Sequence, residues 1–392
     1  MTTNGQIQTT PRSSAELLPL SRQIAQEVAA RAAGDVDKHA RFPSETIEAF
    51  SEAGLLGALV PIAMGGCGAT ISEVGESVFT VAQQCASSAM ILAMHHLQVA
   101  CLVRHGDTPA LRAYLEEVAN LQLLLASATT EINIGGQLRM SSCAVEPTPS
   151  GFRLEKQAPV ISYGAYADAV LVTARREPTS ASSDQVLVLC TSERTTLEQL
   201  NEWNTLGMRG TCSSGFALKA EGSMDCVLPV PFAKIVEETM LPVSHILWGF
   251  VYLGVAAAAV TKARQYVQSD ARKHPGEMLP GATRLAELIV VYRQMEAQVR
   301  DAARRFDAKR HGEIFATWES VSYNALKVGA SWSVLDVVNR AMGICGISGY
   351  REDSPYSLGR YLRDAHGAAV MVNNDRIIKD NAHLLLVDRE EL

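Results

Sequence analysis

The chain has 392 residues, 47% of them hydrophobic and 20% charged, with a formal net charge of -7 at pH 7. This length suits two or three domains and a large core, and the negative balance argues against a general nucleic-acid binder. Eight cysteines without a CxxC pair favour buried free thiols in a reducing, cytoplasmic setting over a disulfide framework or zinc site.

Met1 to Ser14 is polar and reads as a disordered tail rather than a signal peptide. Residues 15–120 read as a helical domain. Ala15 to Ala33 carries apolar residues at helical spacing, and Pro43-Ser44-Glu45-Thr46 looks like a helix start. Pro61 to Gly68 is a glycine-rich break that follows no strand, so it reads as a turn rather than a phosphate loop. The pair His95-His96 lies in a helical stretch. Neighbours on a helix point about 100° apart, which suits one packed and one exposed histidine better than a shared metal.

In residues 121–231 the period changes to strand. Short runs such as Ala169 to Thr173 and Gln185 to Leu189 are bounded by Gly, Pro, Asn and Ser, the pattern of a small antiparallel β domain. Residues 232–392 return to helix, with stretches at Leu241–Asp270, Leu285–His311, Thr317–Met342 and Leu358–Leu386. Four such helices with short links predict an antiparallel bundle. The apolar run Ile246 to Val260 is shorter than the ~20 residues that span a bilayer, so no membrane segment is predicted. Glu116-Glu117 and Glu237-Glu238 read as solvated faces. A β module between helical blocks places a ligand at the seam.

This order of elements resembles the acyl-CoA dehydrogenase family, an α+β fold with an N-terminal helical domain, a central β domain and a C-terminal four-helix bundle. The resemblance covers about residues 20 to 385. It is carried by Phe42-Pro43 through Gly65-Gly66 (the family's amino-terminal helices and their "P-x-x-x-G-G" turn), Ala128-Thr129-Thr130-Glu131 ("TEP"), Val160-Ile161-Ser162 ("WIT") and Leu206-Gly207-Met208-Arg209-Gly210-Thr211 ("LGxRGT"). Ala271 to Gly276 ("ER-x-x-FG") and Leu362-Arg363-Asp364 ("RD") complete it. It implies FAD as cofactor. Ser127, Ala128, Thr129 and Thr130 would line the flavin, with the Thr130 hydroxyl or a neighbouring amide at the ring's polar edge. Ile161 and Ser162 would flank it, with Ser162 near N5. Arg272 would meet the pyrophosphate across a subunit interface, the glycines around Gly346 would approach the partner chain's cofactor, and Asn374 stands where the family has a flavin-contacting threonine. A homodimer or homotetramer follows from those shared contacts.

The same resemblance exposes departures. The family's glutamate base, eight residues past "RD", falls on Val372, and the alternative base position on the first bundle helix falls on Ile246. Valine and isoleucine accept no proton. The family's substrate-steadying arginine falls near Leu247 and its flavin-side tryptophan on Val160. Three readings follow. The first is a dehydrogenase acting on an acyl thioester, CoA- or carrier-protein-bound, with a relocated base at Asp375, His245 or His366 and an electron-accepting flavoprotein as partner. The second is a monooxygenase or N-oxygenase fed by a flavin reductase, which needs a dry pocket rather than an α-base. The third is a non-catalytic flavin-containing binding protein.

Overall fold

A computed structural model describes residues 13–132, 140–310, 312–313 and 316–387. The tail before Ser13 therefore lies outside the described residues. Helices α1 (Leu17–Ile24) and α2 (Ala30–His39) run together through a widened turn, Ala25–Ala29, and are followed by α3 (Ser44–Glu52). The α2 helix ends on Ala40 with φ +49°. Pro61 to Gly68 is a turn, with Gly65 at φ +88° and Gly68 at φ +62°. Next come α4 (Ile71–Ala82), α5 (Ala86–His105) and α6 (Pro109–Leu121). Thr70 caps α4 with a reciprocal Glu73 box, and both Asp307 carboxylate oxygens accept the Ile71 and Ser72 amides at 2.9 Å, so a bundle side chain closes the exposed end of an N-terminal helix.

Helix gives way to strand between Leu121 and Leu125. The strands are β1 (Leu125–Ala128), β2 (Glu146–Thr148), β3 (Gly151–Ala158), β4 (Ala169–Arg175), β5 (Gln185–Thr191), β6 (Thr195–Gln199) and β7 (Phe216–Gly222). One sheet has the order β2-β3-β7-β6 and is antiparallel throughout; the other has the order β1-β4-β5. There β4 and β5 pair antiparallel, while β1 runs parallel to β4 with Leu125 opposite Ala169. In β3 the burial alternates strictly, while β4 is buried at six consecutive positions. The first pattern marks a one-sided sheet and the second a strand covered on both faces.

The bundle begins with α7 (Phe232–Ile235), which runs through a second widened turn, Val236–Met240, into α8 (Leu241–Ala271). It continues with α9 (Pro280–Ala308), α10 (Thr317–Cys345) and the short α11 (Ile347–Tyr350). The stretch predicted as one helix from Leu358 to Leu386 is two, α12 (Gly359–Val370) and α13 (Asn374–Val387), broken at Met371 to Asn373. The Asn373 Oδ1 accepts the Asp375 amide at 2.8 Å and starts a new helix there. Helix α8 is the hub, packed on α4, α5, α9 and α10. Its approach to α4 requires two glycines: a Cβ on Gly254 would lie 2.5 Å from the Phe79 carbonyl oxygen, and one on Gly75 would lie 2.2 Å from the Phe250 ring. Helix α5 and the α7–α8 stretch are apolar and long enough to cross a membrane, yet 89% and 94% of their most apolar windows are buried inside the protein. They are core helices.

Two sequence expectations change with packing. Both His95 and His96 are buried, at 0% and 1% exposure, because α5 is enclosed on all sides and has no solvent face to offer. The Glu237-Glu238 pair is split: Glu237 is exposed, while Glu238 is buried and lies 3.7 Å from Lys234. The cysteines pair in no disulfide among the described residues and are buried except for the half-exposed Cys212 and Cys226.

Candidate active site

The seam between the sheets and the helices is built from two irregular segments, residues 160–163 and 206–214. Non-glycine residues seldom adopt positive φ, and those that do gather where a fold stores strain for function. Tyr163, Met208 and Cys212 all do so here, at φ +43°, +51° and +44°. The segments are laced together: the Ile161 amide donates to the Ser214 carbonyl and the Tyr163 amide to the Thr211 carbonyl, both at 2.8 Å. The Tyr163 hydroxyl donates to the Leu125 carbonyl at 2.9 Å and so fixes the segment to β1. Ser162 is half-buried. Its hydroxyl lies 2.8 Å from the Ser213 hydroxyl, which is 2.8 Å from that of Thr211.

The end of β1 approaches the same place. Ser127, Thr129 and Thr130 are half-buried, while Ala128 is sealed. The Thr130 hydroxyl donates to the Val160 carbonyl at 3.1 Å, so its proton is engaged and it presents lone pairs rather than a donor. Beneath it Glu131 is buried and accepts from the Ser141 hydroxyl at 2.8 Å, the Ser142 amide and hydroxyl, and the Cys143 amide at 2.9 Å. Burial pushes its carboxyl up, but the Ser142 and Ser141 hydroxyls and the nearby Lys156 outweigh this and leave the pKa lowered. The Lys156 ammonium lies 3.7 Å from Glu131 and donates to the carbonyl and hydroxyl of Thr173 at 2.6 and 2.8 Å. Burial lowers its pKa. This paired, saturated centre holds the β1 exit rigid.

From the bundle side, α12 docks on the 206–214 segment. The buried Asp364 accepts the Met208 amide at 2.7 Å, and burial pushes its carboxyl up to about 6. Gly207 is required by closeness: a Cβ there would sit 2.3 Å from the Arg363 carbonyl oxygen. The Arg363 guanidinium pairs with Asp37 of α2, and the Arg209 Nε donates to the Asp37 carbonyl at 2.7 Å.

The turn between α12 and α13 carries Val372, the position of the family base, and is half-buried. What lies behind it leaves no mark in the local pattern of residues. The fully buried Lys327 of α10 donates its ammonium to the Val372 carbonyl and to the Asn374 Oδ1 at 2.7 Å. Burial lowers its pKa to about 8. A lysine in a helical stretch normally signals a solvated face, so only packing could reveal it. His245 is buried nearby on α8, its Nδ1 3.1 Å from the Tyr323 carbonyl. Burial first, and then the like charge of Lys327, lower its pKa to about 3.

The predicted residues thus divide. Ser127 to Thr130, Ile161 and Ser162 come together at the seam. Asn374 is buried, but its Oδ1 is tied to Lys327. His245 is buried beside Lys327, whereas Asp375 and His366 are exposed on α13 and α12. Arg272 is exposed at the end of α8. Gly346 ends α10 with φ +54° and ψ -136°, a conformation suited to glycine.

The N-terminal domain model of acyl-CoA dehydrogenases matches residues 14–122, and the C-terminal domain model matches residues 234–372. The chain is 22% identical to a cyclohex-1-ene-1-carbonyl-CoA dehydrogenase of Syntrophus aciditrophicus, over 93% of this chain and 87% of that one. It is also 22% identical to a probable FMNH2-dependent monooxygenase, SfnC, of Pseudomonas putida, over 88% of this chain and 87% of that one. Among solved structures it resembles FMN-bound TdsC from Paenibacillus sp. A11-2, with a TM-score of 0.83 at 20% identity, covering 96% of this chain and 98% of that one. With both domain models matched in order on either side of the β domain, the chain belongs to the acyl-CoA dehydrogenase family.

Proposed function

We propose that the protein is a flavin-dependent monooxygenase that takes reduced flavin from a separate reductase, rather than an acyl-thioester dehydrogenase. The observation that carries this reading is the turn between α12 and α13. At the base position stands Val372, and behind it a lysine ammonium is bonded to the backbone. A protonated lysine engaged in this way accepts no proton. The buried His245 has its pKa lowered to about 3, so it is a poor base for an α-proton. Asp375 and His366 are exposed. An oxygenase needs no such base, only an enclosed pocket.

The seam fits a flavin. It offers half-buried hydroxyls at Ser127, Thr129 and Ser162 on rigid, partly left-handed backbone. These would face the ring, and Arg272, exposed and without an ion pair among the described residues, would hold phosphate as a charge-assisted contact. The monooxygenase SfnC and the FMN-bound TdsC support this reading. When bound, a reduced flavin supplies two electrons to dioxygen, so that one oxygen atom enters the substrate and the other leaves as water. This chain's residues position the ring and exclude water.

The test supplies reduced FMN or FAD from an NADH-driven reductase under 18O2 with a panel of apolar thioethers, indoles and amines. The expected outcome is an oxygenated product carrying one labelled oxygen. Bleaching of protein-bound oxidised flavin by an acyl-CoA without oxygen would overturn the proposal in favour of the dehydrogenase reading. In that case Asp375→Asn is expected to abolish the bleaching while leaving flavin bound.

A further inference from the structure

Helix α13 is attached to the bundle unlike α8. It packs on α10, and it turns Asn374, Ile377, Asn381 and Leu384 inward, of which only Asn374 and Ile377 are buried. The apolar Ile378, Leu385 and Leu386 face out, at 44%, 52% and 83% exposure. Burial of apolar surface is the main force that docks a helix, and little of it acts here.

Polar bonds hold α13 instead. Asn324, Lys327 and Ser331 follow one another at helical spacing along α10. The Asn324 Nδ2 donates to the Asn381 Oδ1 at 2.7 Å, and the Asn381 Nδ2 to the Val321 carbonyl at 3.2 Å. The Lys327 ammonium donates to the Asn374 Oδ1 at 2.7 Å and to the Val372 carbonyl. The last bond also keeps the helix broken. In a continuous helix the Val372 carbonyl would accept the Arg376 amide. Here that amide donates to the Asn373 carbonyl at 3.2 Å, and the ammonium takes its place at Val372.

The break matters because α12 and α13 bury opposite faces. At about 100° per residue, the buried Tyr361, Asp364, Ala365 and Ala368 of α12 cluster around one direction, and the inward residues of α13 cluster about 180° away. One unbroken helix could not bury both sets against the same bundle. With the break held, both helices dock; without it, α13 must leave α10. Released, it is a helix of 14 residues, a length that is marginal in water.

We infer that α13 and the turn bearing Val372 form a strap that leaves α10 as one unit, and that Lys327 is the positioning residue that latches it. Latched, the strap fixes the turn at Val372; released, it frees that turn. Lys327 acts only through Val372 and Asn374, and this holds whichever reaction the site performs.

The experiment follows backbone amide exchange by mass spectrometry on the full chain, at one pH and temperature. In Lys327→Met, the amides of residues 371–387 should exchange about tenfold faster or more, the loss expected for hydrogen bonds from a charged donor. They should do so by a common factor, while α8 and α9 keep their rates. Asn381→Ala removes the second attachment and should speed the same stretch by less. A lysine that merely fills the core would, when replaced, loosen α8 and α10 as well. Unchanged exchange at 371–387 in Lys327→Met, or an increase spread through α8 and α10, would therefore overturn the latch. Should Lys327→Met fail to fold, unchanged exchange at 371–387 in Asn381→Ala overturns it instead.

Discussion

At the residue scale, the buried titratable groups set how the protein responds to pH. Burial lowers His95 to about 4, although its bond to the Leu56 carbonyl opposes the shift, and His245 falls to about 3. Both stay neutral in the fold but take up protons near pH 6.5 once unfolded. Between these values the unfolded chain binds more protons, so stability present above pH 6.5 is lost as the pH falls toward 3. His245→Asn should flatten part of that acid limb in urea melts recorded from pH 7 to 4. Lys327 acts with the same sign in an alkaline window. With its pKa lowered from 10.5 to about 8, it stays protonated longer in the unfolded chain, so stability rises as the pH climbs from 8 toward 10.5. A Lys327→Met protein should lack that rise, and an unchanged alkaline slope would contradict the burial assigned to this side chain.

At the element scale, the fold holds its site by docking α12 onto the 206–214 segment. Two features do this: the absence of a side chain at Gly207, and the bond from the Met208 amide to Asp364. The obstacle to a Cβ at Gly207 is α12 backbone, which cannot rotate away. Gly207→Ala should therefore cost about 1–3 kcal/mol, the range for overpacking, and should weaken flavin binding by moving the segment that carries Thr211 and Ser213. Chemical denaturation and flavin titration on the same protein check both halves. The left-handed Met208 and Cys212 belong to this dock, since the segment must reverse twice within a few residues to present Thr211 and Ser213 to Ser162.

At the scale of the whole molecule, Arg272, Gly346 and the exposed Trp332, Ile347, Tyr350 and Val370 lie on the bundle side. Large exposed apolar side chains mark contact surfaces more often than accidents. The expected assembly is a homodimer or homotetramer with an apolar, isologous interface, measurable by light scattering; a flavin-loaded monomer would refute it. If Arg272 reaches the flavin phosphate across that interface, Arg272→Ala should weaken retention by about 1.5–3 kcal/mol, and the loss should be larger at protein concentrations where the assembly dissociates.

The sequence by itself determined the architecture and named three of the segments that meet at the seam. Helical and strand periods are local properties of a chain, and Ala128 to Glu131, Val160 to Ser162 and Leu206 to Thr211 are contiguous signatures that survive without knowledge of their neighbours. It also showed that Val372 stands where a base was expected. What it could not determine were facts that exist only between distant segments. The break between α12 and α13 interrupts a pattern that reads as one helix. The burial of His96 and Glu238 depends on helices packed from elsewhere. The placement of Lys327 behind Val372 joins residues 45 positions apart, and a hydroxyl contact joins Ser162 to Ser213, 51 positions apart. Periodicity reports which face of an element is apolar, but not which side chain of another element will meet it. The groups that decide chemistry here are polar atoms brought together by that meeting, and only the tertiary structure places them.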